Sequence, residues 1–177
     1  MVMEDGTTES TTESTTERAV VLGPGEGTPV WFLGNLMVVK ATARSTNGAY
    51  GLLESLVPAG ASPPLHVHHR EDETFWVLEG ALTVRCGTET YHATAGSYVF
   101  LPRGVPHTFR VEGDAPARML TLLTPGGGEQ FFLDGGRTPE GPGLPPPGPP
   151  DVARLKEIAP RYGNEIVGPP LTAAQGS

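Results

Sequence analysis

The sequence predicts an all-β fold, a sandwich or barrel of short strands, with helix confined to the end of the chain. Three observations lead there. Apolar residues gather in short, evenly spaced runs rich in β-branched and aromatic side chains; Gly, Pro, Asn or Asp bounds each run; and helical periodicity emerges only late. The strands fall at 31–33, 36–41, 50–57, 74–78, 81–86, 97–101, 107–111 and 118–123. Gly80 and Gly87 stand where strands turn back on their neighbours. A short helix over 129–134 would bury Phe131 or Phe132. A second over 151–160 is capped by Asp151, puts Val152, Leu155, Ile158 and Ala159 on one face, and stops at Pro160.

Two biased stretches flank this pattern. Residues 1–18 carry tandem Thr-Thr-Glu repeats, with Glu4, Asp5, Glu9, Glu13 and Glu17 against Arg18, and hold half of the chain's net charge of −8. With almost no apolar side chains the tail cannot offset the entropy of ordering its backbone, so it is expected to be disordered. Residues 139–150 contain seven prolines and three glycines, a composition that refuses helix and central strand alike and reads as an extended strap. The division expected is therefore a tail over 1–18, a β-barrel over 19–125, and an extension over 126–177 containing the strap and the second helix.

Composition excludes several classes. The 177 residues suit one domain, and the single cysteine, Cys86, permits neither an intrachain disulfide framework nor a cysteine-rich metal site. An excess of acid over base with no Lys/Arg cluster argues against nucleic acid. The absence of a long apolar run argues against a membrane span or signal peptide, leaving a cytoplasmic location as the expectation.

Three of the five histidines lie within residues 66–69. On a strand, His66-Val67-His68 places both imidazoles on one face and Val67 on the other, which is how a β scaffold presents borderline ligands to a metal. The alternative is a solvated loop, because Arg70, Glu71, Asp72 and Glu73 follow directly.

The surrounding spacing decides between them. Gly60, five residues, His66-x-His68, four residues, Glu73, six residues, Gly80 resembles the first motif of the cupin superfamily at every defined position. Gly96, five residues, Pro102-x-Gly104, two residues, His107 resembles the second, with Val111 where the pattern usually has Asn. The resemblance implies a single cupin barrel, a double-stranded β-helix or jelly roll, with short C-terminal helical segments. It also implies His66, His68, Glu73 and His107 as ligands of one divalent transition metal ion, and ligand type alone does not choose among Fe, Ni, Mn, Co and Zn. With four protein ligands an octahedral ion would keep two positions open. Glu71 and Asp72 lack the required distances to His68 and Gly80, His69 should face away from His68, and His92 reads as a surface or outer residue.

Alternation extends this reading to the pocket. If Glu73 points inward, so do Phe75 and Val77; if His107 does, so does Phe109. Phe75 and Phe109 would then make an apolar wall for a flat substrate, while Trp31 and Trp76 read as packing or interface residues.

Segment 124–132, the proline-rich stretch and the helix behind it resemble small bacterial monocupins of the quercetin 2,3-dioxygenase-like group. That likeness implies a metal-dependent dioxygenase for an enolisable aromatic molecule, with dioxygen as co-substrate and Glu73 as both ligand and base. The alternatives are a non-oxidative metal-dependent cupin enzyme (isomerase, cyclase, decarboxylase or hydrolase) and a cupin that binds a small molecule without turnover. A homodimer is expected, through the N-terminal strands around Trp31.

Overall fold

A computed structural model describes residues 19–173. The acidic tail over 1–18, expected to be disordered, lies outside the described residues. Strand formation follows the β-branched and aromatic runs: β1 (Thr28–Phe32), β2 (Asn35–Ala41), β3 (Gly51–Val57), β4 (Leu65–His68), β5 (Asp72–Glu79), β6 (Ala81–Cys86), β7 (Glu89–Thr94), β8 (Tyr98–Leu101), β9 (His107–Glu112), β10 (Ala117–Thr124) and β11 (Asn164–Gly168). They form two antiparallel sheets with strand orders β1-β2-β3-β10-β5-β8 and β11-β4-β9-β6-β7. Chain neighbours such as β4 and β5, or β9 and β10, lie in different sheets. This crossing between layers is the jelly-roll arrangement the sequence predicts, made as two sheets rather than one closed barrel.

Alternation sets what lies between the sheets. In β3 and β10 every second residue is buried, which turns Leu53, Ser55 and Val57 inward beside Met119, Thr121 and Leu123. One apolar cluster gathers Val57, Phe75, Val77, Leu82, Leu101, Phe109, Val111 and Met119 between the sheets. A second joins Val30, Phe32, Met37, Val39, Leu53 and Leu123 to the helical extension through Phe131, Phe132, Leu155 and Ile158.

Helix α1 (Glu129–Gly135) buries both Phe131 and Phe132. Helix α2 (Val152–Ile158) starts where the Asp151 carboxylate accepts from the Arg154 backbone N–H at 2.9 Å, and a 3-10 turn over Ala159–Tyr162 follows it. Leu155, Ile158 and Ala159 are buried as expected, but Val152 is 43% exposed. It sits in the first helical turn, before the helix meets the β1–α1 surface.

Strand β11 was not anticipated. Asn-Glu-Ile-Val-Gly is short, with only two apolar side chains, and it becomes a strand by pairing with β4, which would otherwise be the edge of its sheet. Trp31 is a packing residue: its indole N–H donates to the Gly143 carbonyl at 2.8 Å, and the Arg137 guanidinium lies 4.8 Å from the ring. Trp31 is thus covered by the chain's own proline-rich segment. Trp76 is on the outer sheet face, half exposed, beside Tyr98.

Candidate metal centre

Strand β4 supplies His66 and His68, β5 opens with Glu73 as its second residue, and β9 opens with His107. His66 and His107 face each other directly across β4 and β9, while Glu73 reaches them from the opposite sheet. The loop leading into β9 is fixed at two points. The Gly104 N–H donates to the His68 carbonyl at 2.8 Å, and Arg103 grips the Asp72 carboxylate with a guanidinium N–H at 2.8 Å and its backbone N–H at 2.9 Å. Gly104 has φ +77°, a conformation that glycine adopts without strain, so the spacing Pro102-x-Gly104-x-x-His107 is the requirement for bringing His107 under His68.

The four candidate ligands come together. Their donor atoms all lie within 4.8 Å of one another. His66 Nδ1 is 2.8 Å from the Pro64 carbonyl and His107 Nδ1 is 2.9 Å from that of Val105. A carbonyl only accepts, so both Nδ1 atoms carry the proton and both Nε2 atoms turn a lone pair inward. His107 Nε2 then lies 3.1 Å, and His68 Nε2 3.7 Å, from the same Glu73 oxygen. Lone pairs and an anionic oxygen this close need a shared cation, a proton or a metal ion. Three imidazoles and one carboxylate are a donor set that first-row divalent metals accept, so the residues fit the group that the cupin motifs imply.

Charge follows the same geometry. Burial and the neighbouring His107 and His68 push the His66 imidazole down to about 3. Burial alone would raise the Glu73 carboxyl, but the charge of His68 and the contact with His107 outweigh it and hold Glu73 at about 2. Burial opposes a charged His68 as well, yet Glu73 and Glu71 raise its pKa above the usual imidazole value. In the metal-free protein, unfolding therefore releases His66 to take up a proton near its ordinary 6.5 and Glu73 near 4.5. The unfolded state binds more protons, so stability is expected to fall as pH drops from about 6.5 towards about 2. His68 works the other way: its contribution is present below its unfolded pKa and fades as pH rises through its folded value. Thermal melts of the metal-free protein from neutral to acid pH test the sum; a melting temperature flat over that window would contradict it.

The inward alternation holds for the pocket residues. Phe75 and Phe109 are buried, with ring centroids 5.4 Å apart in an edge-on arrangement. They line a cavity of about 70 Å³ together with His66, His68, Glu73 and the helical residues Phe131 and Phe132. His69 is exposed and bonded to Glu165 at 2.9 Å, and His92 is exposed beside Thr83, so neither joins the cluster. Asp72 is the loop anchor for Arg103.

Three groups near the site escaped the sequence reading. Ser55 and Asn164 are buried, line the cavity, and keep Oγ and Oδ1 without a partner. Asn164 lies directly across from His68 on β11. Glu71, set aside as a ligand on spacing, is only 4% exposed. Period two carried back from Phe75 and Glu73 reaches Glu71, a signal that was available in the sequence; nothing comparable marked Asn164, because β11 itself was not foreseen.

Fold and cluster together define a jelly-roll protein with a candidate metal centre between its two sheets. The chain carries a cupin domain: residues 53–123 match the Cupin_2 family, described as cupin domain. It is 29% identical over 121 residues to quercetin 2,3-dioxygenase of Bacillus subtilis, covering 68% of this chain and 36% of that protein. Against the polyketide synthase CurC of Streptomyces cyaneus it is 32% identical over 89 residues, covering 50% of this chain and 56% of the relative. The chain thus spans well under two thirds of the length of either relative. A solved Thermotoga maritima structure, described as a predicted oxalate decarboxylase, superposes with a TM-score of 0.54 at 22% identity over 60% of this chain and 99% of that one, a likeness of fold. Among the described residues no helix is long and apolar enough to cross a membrane.

Proposed function

We propose that the chain is a metal-dependent dioxygenase for an enolisable, flavonol-like aromatic molecule, with His66, His68, Glu73 and His107 holding one divalent transition metal ion. The observation that carries this reading is the Glu73 carboxylate, buried at the end of an apolar cavity and shared between His68 and His107. A bound divalent ion would supply Lewis acidity to a substrate hydroxyl beside a carbonyl. Glu73 stands where it can accept that hydroxyl's proton, and the low dielectric around it strengthens each charge contact it makes. Phe75 and Phe109 hold the ring flat and exclude water, while Asn164 and Ser55 offer hydrogen bonds to polar groups on the substrate. The relative named as quercetin 2,3-dioxygenase supports the substrate class.

Two observations favour a second reading, non-oxidative chemistry on a polyketide-like enol. One is the likeness to CurC. The other is cavity size: about 70 Å³ is roughly half the ~150 Å³ that accommodates benzene in an engineered core, so a flavonol enters only as the walls yield. Met37 and Met119, unbranched side chains on either side of Ser55, are the walls best able to do so.

Oxygen-electrode assays of metal-loaded protein with flavonols decide between the two readings. Substrate-dependent oxygen uptake is expected; conversion at equal rate under anaerobic conditions would transfer the assignment to the second reading, and no conversion of either kind would overturn both. The proposal includes a homodimer, and a monomeric mass in solution would remove that part.

A further inference from the structure

We infer that Glu71 is a positioning residue for the metal centre, an outer carboxylate that holds the His68 ring and raises its donor strength, kept in place by the glycine-rich segment behind β10. This rests on the metal reading proposed above.

The three candidate imidazoles are not equivalent. His66 and His107 each donate Nδ1–H to a backbone carbonyl, at 2.8 and 2.9 Å. His68 has no such carbonyl: its Nδ1 is buried without a hydrogen-bond partner, and the nearest acidic group is Glu71 Oε2 at 3.7 Å, itself buried and unpartnered. Two orphaned complementary atoms facing each other are one hydrogen bond waiting on a small closure, and a buried polar atom left alone is costly enough that the closure is favoured. His68 is thereby clamped between carboxylates, Glu73 at Nε2 and Glu71 at Nδ1, both 3.7 Å away. A carboxylate on the far nitrogen makes an imidazole more basic toward a metal than a carbonyl does, so His68 is the strongest donor of the three.

The segment 126–129 gives this carboxylate its seat. Gly128 has φ −64°, so its backbone does not call for glycine. Packing favours it: a Cβ there would stand 3.0 Å from Glu71 Oε1, 3.1 Å from its Cδ and 3.1 Å from Leu123 Cδ1, so these side chains would have to give by a few tenths of an ångström. The segment is pinned in turn by Glu129, a buried side chain whose two oxygens accept from Ala43 N and Gly127 N, each at 2.7 Å. The chain after β10 thus acts as a lid on Glu71, shutting water away from the contact with His68.

Cobalt(II) titration of wild type, Glu71→Ala, Glu71→Gln and Gly128→Ala tests this, with affinity and the cobalt absorption bands as readouts. Glu71→Ala is expected to weaken cobalt binding by about 10- to 100-fold and to shift the bands. Glu71→Gln, which keeps an acceptor oxygen without the charge, should fall between wild type and Ala, and Gly128→Ala should weaken binding in the same direction. In the zinc-loaded, ¹⁵N-labelled protein, Glu71→Ala should move the His68 Nδ1 resonance while those of His66 and His107 stay. Melting of the metal-free variants reports folding, and Glu71→Gln carries the test if Glu71→Ala does not fold. Wild type that takes up no cobalt overturns the metal reading and this inference together. Wild type that binds, with Glu71→Ala binding within twofold and with unshifted bands, overturns this inference alone.

Discussion

Glu73→Gln is expected to leave a folded protein that still takes up metal but turns over its substrate about a hundred- to ten-thousand-fold more slowly, the range a positioned general base contributes. Gln keeps the shape and one carbonyl oxygen for the cluster, so three imidazoles and a neutral oxygen remain. What disappears is the proton acceptor: a carboxylate can take a proton from the substrate hydroxyl, whereas an amide cannot at neutral pH. His66→Ala is the contrasting variant. It removes one of the imidazoles directly opposed across β4 and β9, and is expected to lose metal on dialysis together with all turnover. Metal analysis beside the oxygen electrode separates the two effects. If Glu73→Gln loses metal as His66→Ala does, the carboxylate charge is required for ligation; if it keeps both metal and turnover, the base lies elsewhere.

How far the sequence disclosed this site depends on what kind of constraint each residue answers to. The cluster of His66, His68, Glu73 and His107 was legible because a set of residues able to hold a metal is restricted in type, and strand geometry and tight turns fix spacing. Phe75, Val77 and Phe109 followed from period two alone, and all three are buried. Ser55 also lies on a period-two face, between Leu53 and Val57, but a lone Ser there carries no residue-type signal. Asn164 answers to no such rule: its position depends on which strands become neighbours, and β11 pairs with β4 across nearly a hundred residues of chain. Val152 shows the same limit in reverse: helical periodicity identified the apolar stripe correctly, but only docking decides where along the stripe burial begins, and it begins at Leu155. Trp31 could be read as packing or interface until the proline-rich segment was seen lying against it.

Phe32→Ala is expected to cost about 3–5 kcal/mol, the usual range for removing a buried phenyl ring. Phe32 is 5% exposed on β1 and meets Phe131 and Phe132 edge-on, with centroids 5.1 and 5.2 Å away. These contacts fasten helix α1 to the sheet, and α1 in turn packs on α2 through Ile158, so one truncation loosens the whole helical extension. Urea denaturation should show a lower midpoint. Phe100→Ala, at an exposed position on β8, should change stability by no more than about 0.5 kcal/mol and controls for loss of a phenyl ring as such. A loss below about 1 kcal/mol for Phe32→Ala would mean that the extension rests on the sheet without stabilising it. The consequence reaches the candidate metal centre, because Phe32, Phe131, Phe132 and Leu155 wall the cavity that Glu73 lines. Loosening them admits water to a site whose charge interactions depend on its exclusion, so the folded fraction of Phe32→Ala should also bind substrate more weakly than wild type does.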